Sequence, residues 1–228
     1  LDKLGVETVK LYCDPTGHFP HNPEPLKEHL GDICELVIKE KADVGIVVDP
    51  DVDRLALIDE KGEMFGEEYT LVAVADYLLK NKNGVAISNL SSSRALRDVA
   101  KNHNSEYFAS AVGEVNVVNL MKEKNAVIGG EGNGGIIYPE IHYGRDSLVG
   151  VALFLTHLAK ENKTVSELKA GYPEYYMGNK KIELTPEIDV DSLLTKMEKE
   201  YQNEEVSTVD GVKIDFENNW VHLRQSNT

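Results

Sequence analysis

Apolar residues along the chain alternate between helical spacing and short continuous runs, which is typical of an α/β protein. Apolar positions recur every three to four residues over 26–41 and predict a helix, and the apolar run 44–48 predicts a buried strand. A second run, 55–58, precedes a turn and predicts a hairpin that returns over 63–65. We expect further helices at 68–80, 93–102, 114–124 and 147–160, and strands at 9–12, 85–88, 106–108, 126–128 and 136–138.

The pattern changes after residue 174, where helices and strands no longer alternate regularly. A strand at 180–184, a helix at 191–201 capped by Asp191, and a hairpin of 212–216 with 220–224 are predicted there. This part of the chain is therefore expected to form a separate α+β segment.

The net charge of the chain limits the kinds of molecule that it can bind. The 228 residues carry 24 Lys+Arg against 39 Asp+Glu, a net charge of −15, and no basic cluster. Such a chain repels phosphate backbones and anionic lipids, so nucleic acid and membranes are excluded as partners. No apolar run reaches the roughly 20 residues that cross a bilayer. The two cysteines, without a Cys-x-x-Cys pair, favour reduced thiols in a cytoplasmic protein.

Three carboxylates alternate directly after the run 44–48, in Asp49-Pro50-Asp51-Val52-Asp53-Arg54. Two such charges about 5 Å apart repel by about 3 kcal/mol at an effective dielectric of about 20, so the cluster favours a divalent cation. Hard oxygen donors suit Mg²⁺ or Ca²⁺. A solvated acidic turn is the plain alternative, and a phosphatase with an aspartate nucleophile is another.

A calcium-binding EF-hand is a further alternative for the same acidic segment, ending at Glu60. It requires glycine at the position that Arg54 occupies, and helices on both sides, whereas strands are predicted here. A non-enzymatic Ca²⁺-binding module built on 49–60 nevertheless stays open as a rival function.

A glycine-rich segment, Gly129-Gly130-Glu131-Gly132-Asn133-Gly134-Gly135, follows the strand predicted at 126–128. It matches G-x-G-x-x-G formally, but a strand rather than a helix comes next, which excludes dinucleotide binding. Glu131 and Asn133 project from a backbone with little side chain, and this pair suits vicinal sugar hydroxyls. A flexible hairpin loop is the alternative.

Two other polar segments are candidates for contact with phosphate. Arg224-Gln225-Ser226-Asn227-Thr228 has the parts of a phosphate cradle, or is a polar tail. His142 and Arg145, which follow the glycine segment, could reach a substrate phosphate.

Taken in this order, the segments resemble those of the α-D-phosphohexomutase family, which comprises phosphomannomutase, phosphoglucomutase and phosphoglucosamine mutase. The resemblance runs the length of the chain and includes Pro23-Glu24-Pro25 and Gly144-Arg145-Asp146. It implies the C-terminal part of mixed-sheet domain 2 over 1–63, domain 3 over 64–174, and the start of an α+β, TATA-binding-like domain 4 over 175–228.

The resemblance also implies an activity. It is that of an isomerase of carbohydrate metabolism, a phosphoprotein that interconverts hexose 1-phosphate and hexose 6-phosphate through an enzyme phosphoserine and hexose 1,6-bisphosphate. Each segment then has an expected role: metal binding by Asp49, Asp51 and Asp53 with Mg²⁺, catalysis by Arg54, sugar binding by Glu131, Gly132 and Asn133, and phosphate binding by Arg224, Ser226, Asn227 and Thr228.

The chain departs from the family pattern in ways that affect catalysis. No phosphoserine loop of the Ser-His-Asn-Pro type is found, and Ser91-Ser92-Ser93-Arg94 lies in the wrong place for one. Glu114 and Gly135 align with positions where many members carry histidine, so the general acid/base is unassigned. We expect a fragment that is inactive without the remaining domains. Ser226-Asn227-Thr228 leans towards a mannose or glucose phosphate over a glucosamine phosphate.

Overall fold

The computed structural model describes residues 1–183, 185 and 188–225. Its first unit is a hairpin of β1 (Gly45–Val48) and β2 (Leu55–Ile58), packed beside α1 (Gly31–Glu40). Gly45 permits this packing, because a Cβ there would lie 2.9 Å from Val37 Cγ2. The helix predicted before β1 is confirmed, although it begins at 31 and not at 26. The hairpin predicted between 55–58 and 63–65 is reduced to a single bridge of Ile58 with Met64, because β2 pairs with β1 instead.

A four-stranded mixed sheet forms the centre of the molecule. The strand order is β4-β3-β5-β6, with β3 parallel to both β4 and β5, and β6 antiparallel to β5. This confirms the predicted α/β class. The strands are β3 (Val85–Asn89), β4 (Glu106–Ser110), β5 (Ile128–Glu131) and β6 (Gly135–Ile137); the helices are α2 (Glu67–Asn81), α3 (Ala95–Asn102), α4 (Glu114–Lys124), α5 (Ser147–Glu161) and α6 (Val165–Lys169).

Two apolar clusters hold the helices to this sheet. The larger is built on α2, α3 and α5 and contains the edge-to-face pair Phe65 and Phe154. The smaller joins α4 to the strands through Val117, Met121 and Ile87. The helices therefore cover both faces of the sheet, as expected for strands that are apolar on both sides.

The hairpin of β1 and β2 is joined to the central sheet by its backbone. The amide of Leu55 donates to the carbonyl of Gly134 at 3.1 Å, and Arg54 forms an antiparallel bridge with Gly135. This joint brings the acidic segment 49–54 beside the glycine-rich segment 129–135.

The C-terminal part contains α7 (Val190–Glu200) and an antiparallel sheet of β7 (Glu205–Ser207), β8 (Val212–Asp215) and β9 (Trp220–Leu223), ordered β7-β8-β9. The buried guanidinium of Arg94 contacts this sheet, donating to Asp215 Oδ1 at 2.8 Å and to the carbonyl of Phe216 at 2.6 Å. The predicted helix and hairpin are confirmed.

Several local predictions are wrong. Residues 9–12 are not a strand: Val9 is 57% exposed, and no described strand lies alongside to pair with it. Residues 180–183 are not a strand either, and Leu184 lies outside the described residues. The cap of α7 is Asp189, whose carboxylate accepts from the amide of Ser192 at 3.1 Å, and not Asp191.

The glycine-rich segment differs from its prediction as a loop. Gly129, Gly130 and Glu131 belong to β5, because a strand without side chains can approach β6 closely. A Cβ on Gly130 would lie 2.0 Å from the carbonyl oxygen of Gly135. The sequence analysis also missed α6 and β7. Within the described part of the chain, no helix has the length and apolarity needed to cross a bilayer.

Candidate metal and sugar site

The loop between β1 and β2 is organised around the buried carboxylate of Asp49. Its Oδ1 accepts from the backbone amides of Asp53 and Arg54, at 3.0 Å and 2.9 Å, and its Oδ2 accepts from Arg54 Nε at 2.8 Å. Burial opposes ionisation, but the hydrogen bonds from Arg54 and Asp53 outweigh it and lower the pKa of Asp49 to about 2. Asp49 is therefore a fixed anion around which the loop folds.

The backbone of this loop is held in an uncommon conformation. Val52 has φ of 60°, a left-handed value that a β-branched residue rarely adopts. Its carbonyl accepts from the amide of Ser147, at the start of α5, at 3.1 Å. The loop is thus anchored to the central unit as well as to its own strands.

The three predicted metal ligands come together in this loop. Asp49, Asp51 and Asp53 each offer a carboxylate oxygen, and these oxygens lie within 4.8 Å of one another. Burial, with the adjacent Asp49 carboxylate, raises the pKa of Asp53 to about 6 although Arg145 opposes the shift. Among the described residues, Asp53 Oδ1 is buried and has no hydrogen-bond partner. An acceptor of this kind beside two other hard oxygens fits Mg²⁺.

Arg54 lies at the edge of the same cluster. Besides Asp49 it contacts Glu24, with Nη1 3.2 Å from Oε1, so the Pro23-Glu24-Pro25 segment packs against the acidic loop. Its side chain is partly exposed, which leaves the guanidinium accessible to an anion.

The predicted sugar-binding residues line a cleft of about 450 Å³ beside the metal loop, together with Glu67, Glu68, Asn89 and Ser91. Glu131 Oε1 accepts from Asn89 Nδ2 at 2.9 Å. Asn133 Oδ1 accepts from the amide of Gly135 at 3.2 Å and closes the turn between β5 and β6. Glu131 and Asn133 are thus fixed by neighbouring groups, not carried on a flexible loop.

Glu68, at the start of α2, was not singled out by the sequence analysis. Burial raises the pKa of its carboxyl, and its Oε2 accepts from the amide of Ser93 at 2.9 Å. A Cβ on Gly132 would lie 1.8 Å from Glu68 Oε1, so the glycine leaves room for that carboxyl. This role could not be predicted from the sequence, because Glu67 and Glu68 look like ordinary acidic residues in the first turn of a helix.

The third candidate segment is only partly described. Arg224 follows β9 and is exposed, while Ser226, Asn227 and Thr228 lie outside the described residues. Two residues before Arg224, the ring of His222 has its Nδ1 2.9 Å from Ser91 Oγ, and Ser91 lines the cleft. The end of β9 therefore lies near the sugar cleft, although no contact joins Arg224 to it.

The chain is similar to known proteins over its whole length. Phosphoglucomutase/phosphomannomutase alpha/beta/alpha domain II matches residues 1–62, and domain III of the same family matches residues 66–176. A phosphoglucomutase/phosphomannomutase of Thermococcus kodakarensis is 36% identical over 232 residues, covering 100% of this chain and 50% of that protein. A probable phosphoglucosamine mutase of Methanopyrus kandleri is 32% identical, covering 100% of this chain and 51% of that protein.

Solved structures agree on the fold. A phosphoglucomutase/phosphomannomutase family protein from Burkholderia thailandensis superposes with a TM-score of 0.81 at 25% identity, covering 99% of this chain and 49% of that one. The described chain therefore spans about half the length of the relatives it matches.

Proposed function

Because the chain belongs to the phosphoglucomutase/phosphomannomutase family, we propose that it carries the metal-binding and sugar-binding parts of an enzyme that interconverts hexose 1-phosphate and hexose 6-phosphate. The observation that carries the proposal is the joint of β2 to the glycine segment, which sets three clustered carboxylates beside a polar cleft. Phosphoryl transfer needs charge neutralisation next to a bound sugar, and this juxtaposition supplies both.

In this proposal Asp49, Asp51 and Asp53 hold Mg²⁺, which, when bound, neutralises charge on a phosphorylated serine as its phosphoryl group leaves. The unpartnered Asp53 Oδ1 supports the assignment. Arg54, fixed by Asp49, braces the same phosphate from the rim of the loop. No residue of this chain is assigned as the nucleophile, because the phosphoserine loop that the family resemblance implies has no counterpart in the sequence.

Glu131, Gly132 and Asn133 are proposed to bind the sugar hydroxyls. Asn89 holds Glu131 at the edge of the cleft, and Gly132 leaves room for the Glu68 carboxyl that lines the same cleft. Residues that grip hydroxyls shared by several hexoses accept the sugar in either orientation, which a transfer between two ends of one molecule requires. Arg224, Ser226, Asn227 and Thr228 would hold the phosphate that is not reacting.

The domain division is part of the proposal: 1–63 closes domain 2, 64–174 is domain 3, and 175–228 begins domain 4. The matches to 1–62 and 66–176 support the first two. The three-stranded sheet behind α7 supports an α+β unit in the third. Hexose 1,6-bisphosphate is the proposed intermediate, and the remaining domains of the polypeptide are the proposed partners.

Two rival functions fit the geometry less well. An EF-hand requires helices around its loop, whereas 49–54 lies between β1 and β2. A phosphatase that uses Asp49 or Asp51 as its nucleophile leaves the polar cleft beside the loop without a role. The proposed hexose phosphate mutase gives a role to both the metal loop and the cleft.

Removal of one metal ligand tests the proposal. Asp51 is the exposed member of the cluster, so Asp51→Asn removes a carboxylate without disturbing the buried network. We expect Mg²⁺ affinity, measured by calorimetry on this chain, to fall at least tenfold, and 1-to-6 interconversion of glucose phosphate by the full-length polypeptide to fall at least a hundredfold. The exposed Asp43→Asn is the matched control. Unchanged turnover in Asp51→Asn would refute the proposal.

A further inference from the structure

Arg145 joins the two halves of the proposed site. Its Nη2 contacts Asp53 Oδ2 in the metal loop, and its Nη1 donates to Glu131 Oε2 at 3.1 Å in the sugar cleft. The guanidinium also contacts Glu114, with Nε 3.2 Å from Oε2. The backbone amide of Arg145 donates to Glu114 Oε1 at 3.1 Å. One side chain therefore touches a proposed metal ligand and a proposed sugar ligand at once.

The planar guanidinium is suited to this position. It presents donors in a fixed fork, so two carboxylates held by it keep a defined separation and orientation, which a flexible ammonium group does not impose. The side chain is 17% exposed, so its contacts are shielded from water. Water exclusion strengthens them relative to an ion pair on the surface.

Gly135 provides the space that Arg145 occupies. A Cβ added at Gly135 would lie 2.3 Å from Arg145 Cδ, 3.1 Å from Arg145 Cγ and, less tightly, 3.2 Å from Asn133 Oδ1. The backbone of Gly135 is in strand β6 and has no positive φ, so conformational freedom is not the reason for glycine there. The absence of a side chain at 135 and the placement of the guanidinium are thus one structural feature, and it is provided by residues that are ten positions apart.

We propose that Arg145 is the positioning residue of this site: it holds Asp53 and Glu131 in one arrangement, and Gly135 makes that arrangement possible. The inference rests on the proposed function, since it takes Asp53 as a metal ligand and Glu131 as a sugar ligand. Arg145 also adds a positive charge beside the metal loop. It therefore weakens Mg²⁺ binding somewhat while it strengthens the binding of a phosphorylated sugar.

This double role predicts opposite changes for two ligands. In Arg145→Gln, Mg²⁺ affinity is expected to rise about tenfold, because the positive charge that contacts Asp53 is removed from the metal loop. Affinity for glucose 6-phosphate is expected to fall at least tenfold, because Glu131 Oε2 loses its donor and the phosphate loses a nearby cation. Arg145→Lys keeps the charge but lacks the fork, so Mg²⁺ affinity stays within about threefold while glucose 6-phosphate still binds more weakly.

Gly135→Ala tests the steric half of the proposal. It keeps the charge and displaces the side chain, so it should behave like Arg145→Lys. Because residues 135 and 145 are in contact, its effect on glucose 6-phosphate binding should be smaller when it is added to Arg145→Gln than in the wild type. Gly31→Ala is the matched control, since a Cβ there meets nothing within 4 Å. All variants are measured by calorimetry on the 228-residue chain, with circular dichroism melting as the check on folding.

The possible results separate this inference from the proposed function. If the wild-type chain binds both ligands and Arg145→Gln leaves both affinities within twofold, the proposed function stands and the role of Arg145 is overturned. If both affinities fall together with the melting temperature, Arg145 is only structural and the inference is wrong. If the wild-type chain lacks binding of either Mg²⁺ or glucose 6-phosphate, the corresponding half of the proposed function fails and the inference fails with it.

Discussion

A partly buried ionic network away from the cleft makes stability depend on pH, and Asp76 in α2 is its centre. Its carboxylate lies 2.6 Å from His103 Nε2 and 3.2 Å from His157 Nε2, and it accepts from the hydroxyl of Tyr172 at 3.0 Å. His157 is almost completely buried in α5. Asp76 therefore ties α2 to the helix that packs beside it, to the end of α3 and to the segment after α6.

The size of this pH dependence follows from the pKa shift of the Asp76 carboxyl. Burial alone raises its pKa, but hydrogen bonds from His157, His103 and Tyr172 lower the pKa of Asp76 from an ordinary 3.8 to about 2. A folded-state pKa below the unfolded value stabilises the protein above about pH 4, and this contribution disappears as the pH falls towards 2. The full contribution is about 2 kcal/mol, of which about 1 kcal/mol is lost by pH 3.

Asp76→Asn removes this contribution. We expect the variant to be less stable than the wild type by at least about 2 kcal/mol at pH 5, and the difference to shrink by about 1 kcal/mol at pH 3. Urea unfolding at both pH values measures it, below the ordinary titration range of histidine. Asp14→Asn, at an exposed position, is the control. A stability difference for Asp76→Asn that is the same at pH 5 and pH 3 would refute the reasoning.

Two further predictions concern the cleft and the C-terminal sheet. Gly132→Ala places a Cβ on the Glu68 carboxyl and should weaken binding of glucose 6-phosphate at least tenfold by calorimetry with little change in melting temperature, whereas Gly178→Ala, where a Cβ meets nothing within 4 Å, should change neither. Arg94→Gln removes the guanidinium that holds the β8–β9 turn, so amide hydrogen exchange over 205–223 should accelerate while exchange in α2 stays the same. Arg97→Gln is the control, because Arg97 is half-exposed and pairs only with its neighbour Asp98 among the ion pairs described. Equal amide exchange rates over 205–223 in both variants would contradict the prediction.

Local pattern predicted most elements of the central unit because burial there is set by neighbours on the same helix or strand. The prediction of a helix at 114–124 coincides with α4, and that at 147–160 differs from α5 by one residue. The strand at 9–12 failed for the opposite reason. A strand is stable only beside another strand, and an apolar run carries no information about whether a partner lies alongside.

The glycine segment shows a different limit. The glycine spacing predicted a loop. Sequence alone cannot distinguish a glycine that adopts a positive φ from one that lies in ordinary extended backbone. In the structure Gly134 has a φ of 88° and marks the turn, whereas Gly130 lies in β5 and serves only the close approach of β6. The two residues are of one type, but their backbones are constrained by different neighbours.

The candidate site divides along the same line. Asp49, Asp51 and Asp53 could be predicted as a group because they lie within five residues of one short connection, where a tight turn brings their carboxylates together. Arg145 could not be placed with them, since its partner Asp53 lies 92 residues away and the two meet only through the joint of β2 to Gly134.

Gly135 aligns, in the sequence, with a position where many members of the family carry histidine. In the structure it is the position that a guanidinium from elsewhere requires to be empty. If that is correct, the identity of a residue at 135 and the placement of residue 145 are coupled: a side chain at one excludes the other from the cleft. The positive charge at this site would then come from Arg145, which lies between β6 and α5, and not from a histidine at 135. The neighbouring carboxylates would be the same in both cases. Introducing histidine at 135 should therefore weaken glucose 6-phosphate binding by this chain and not improve it.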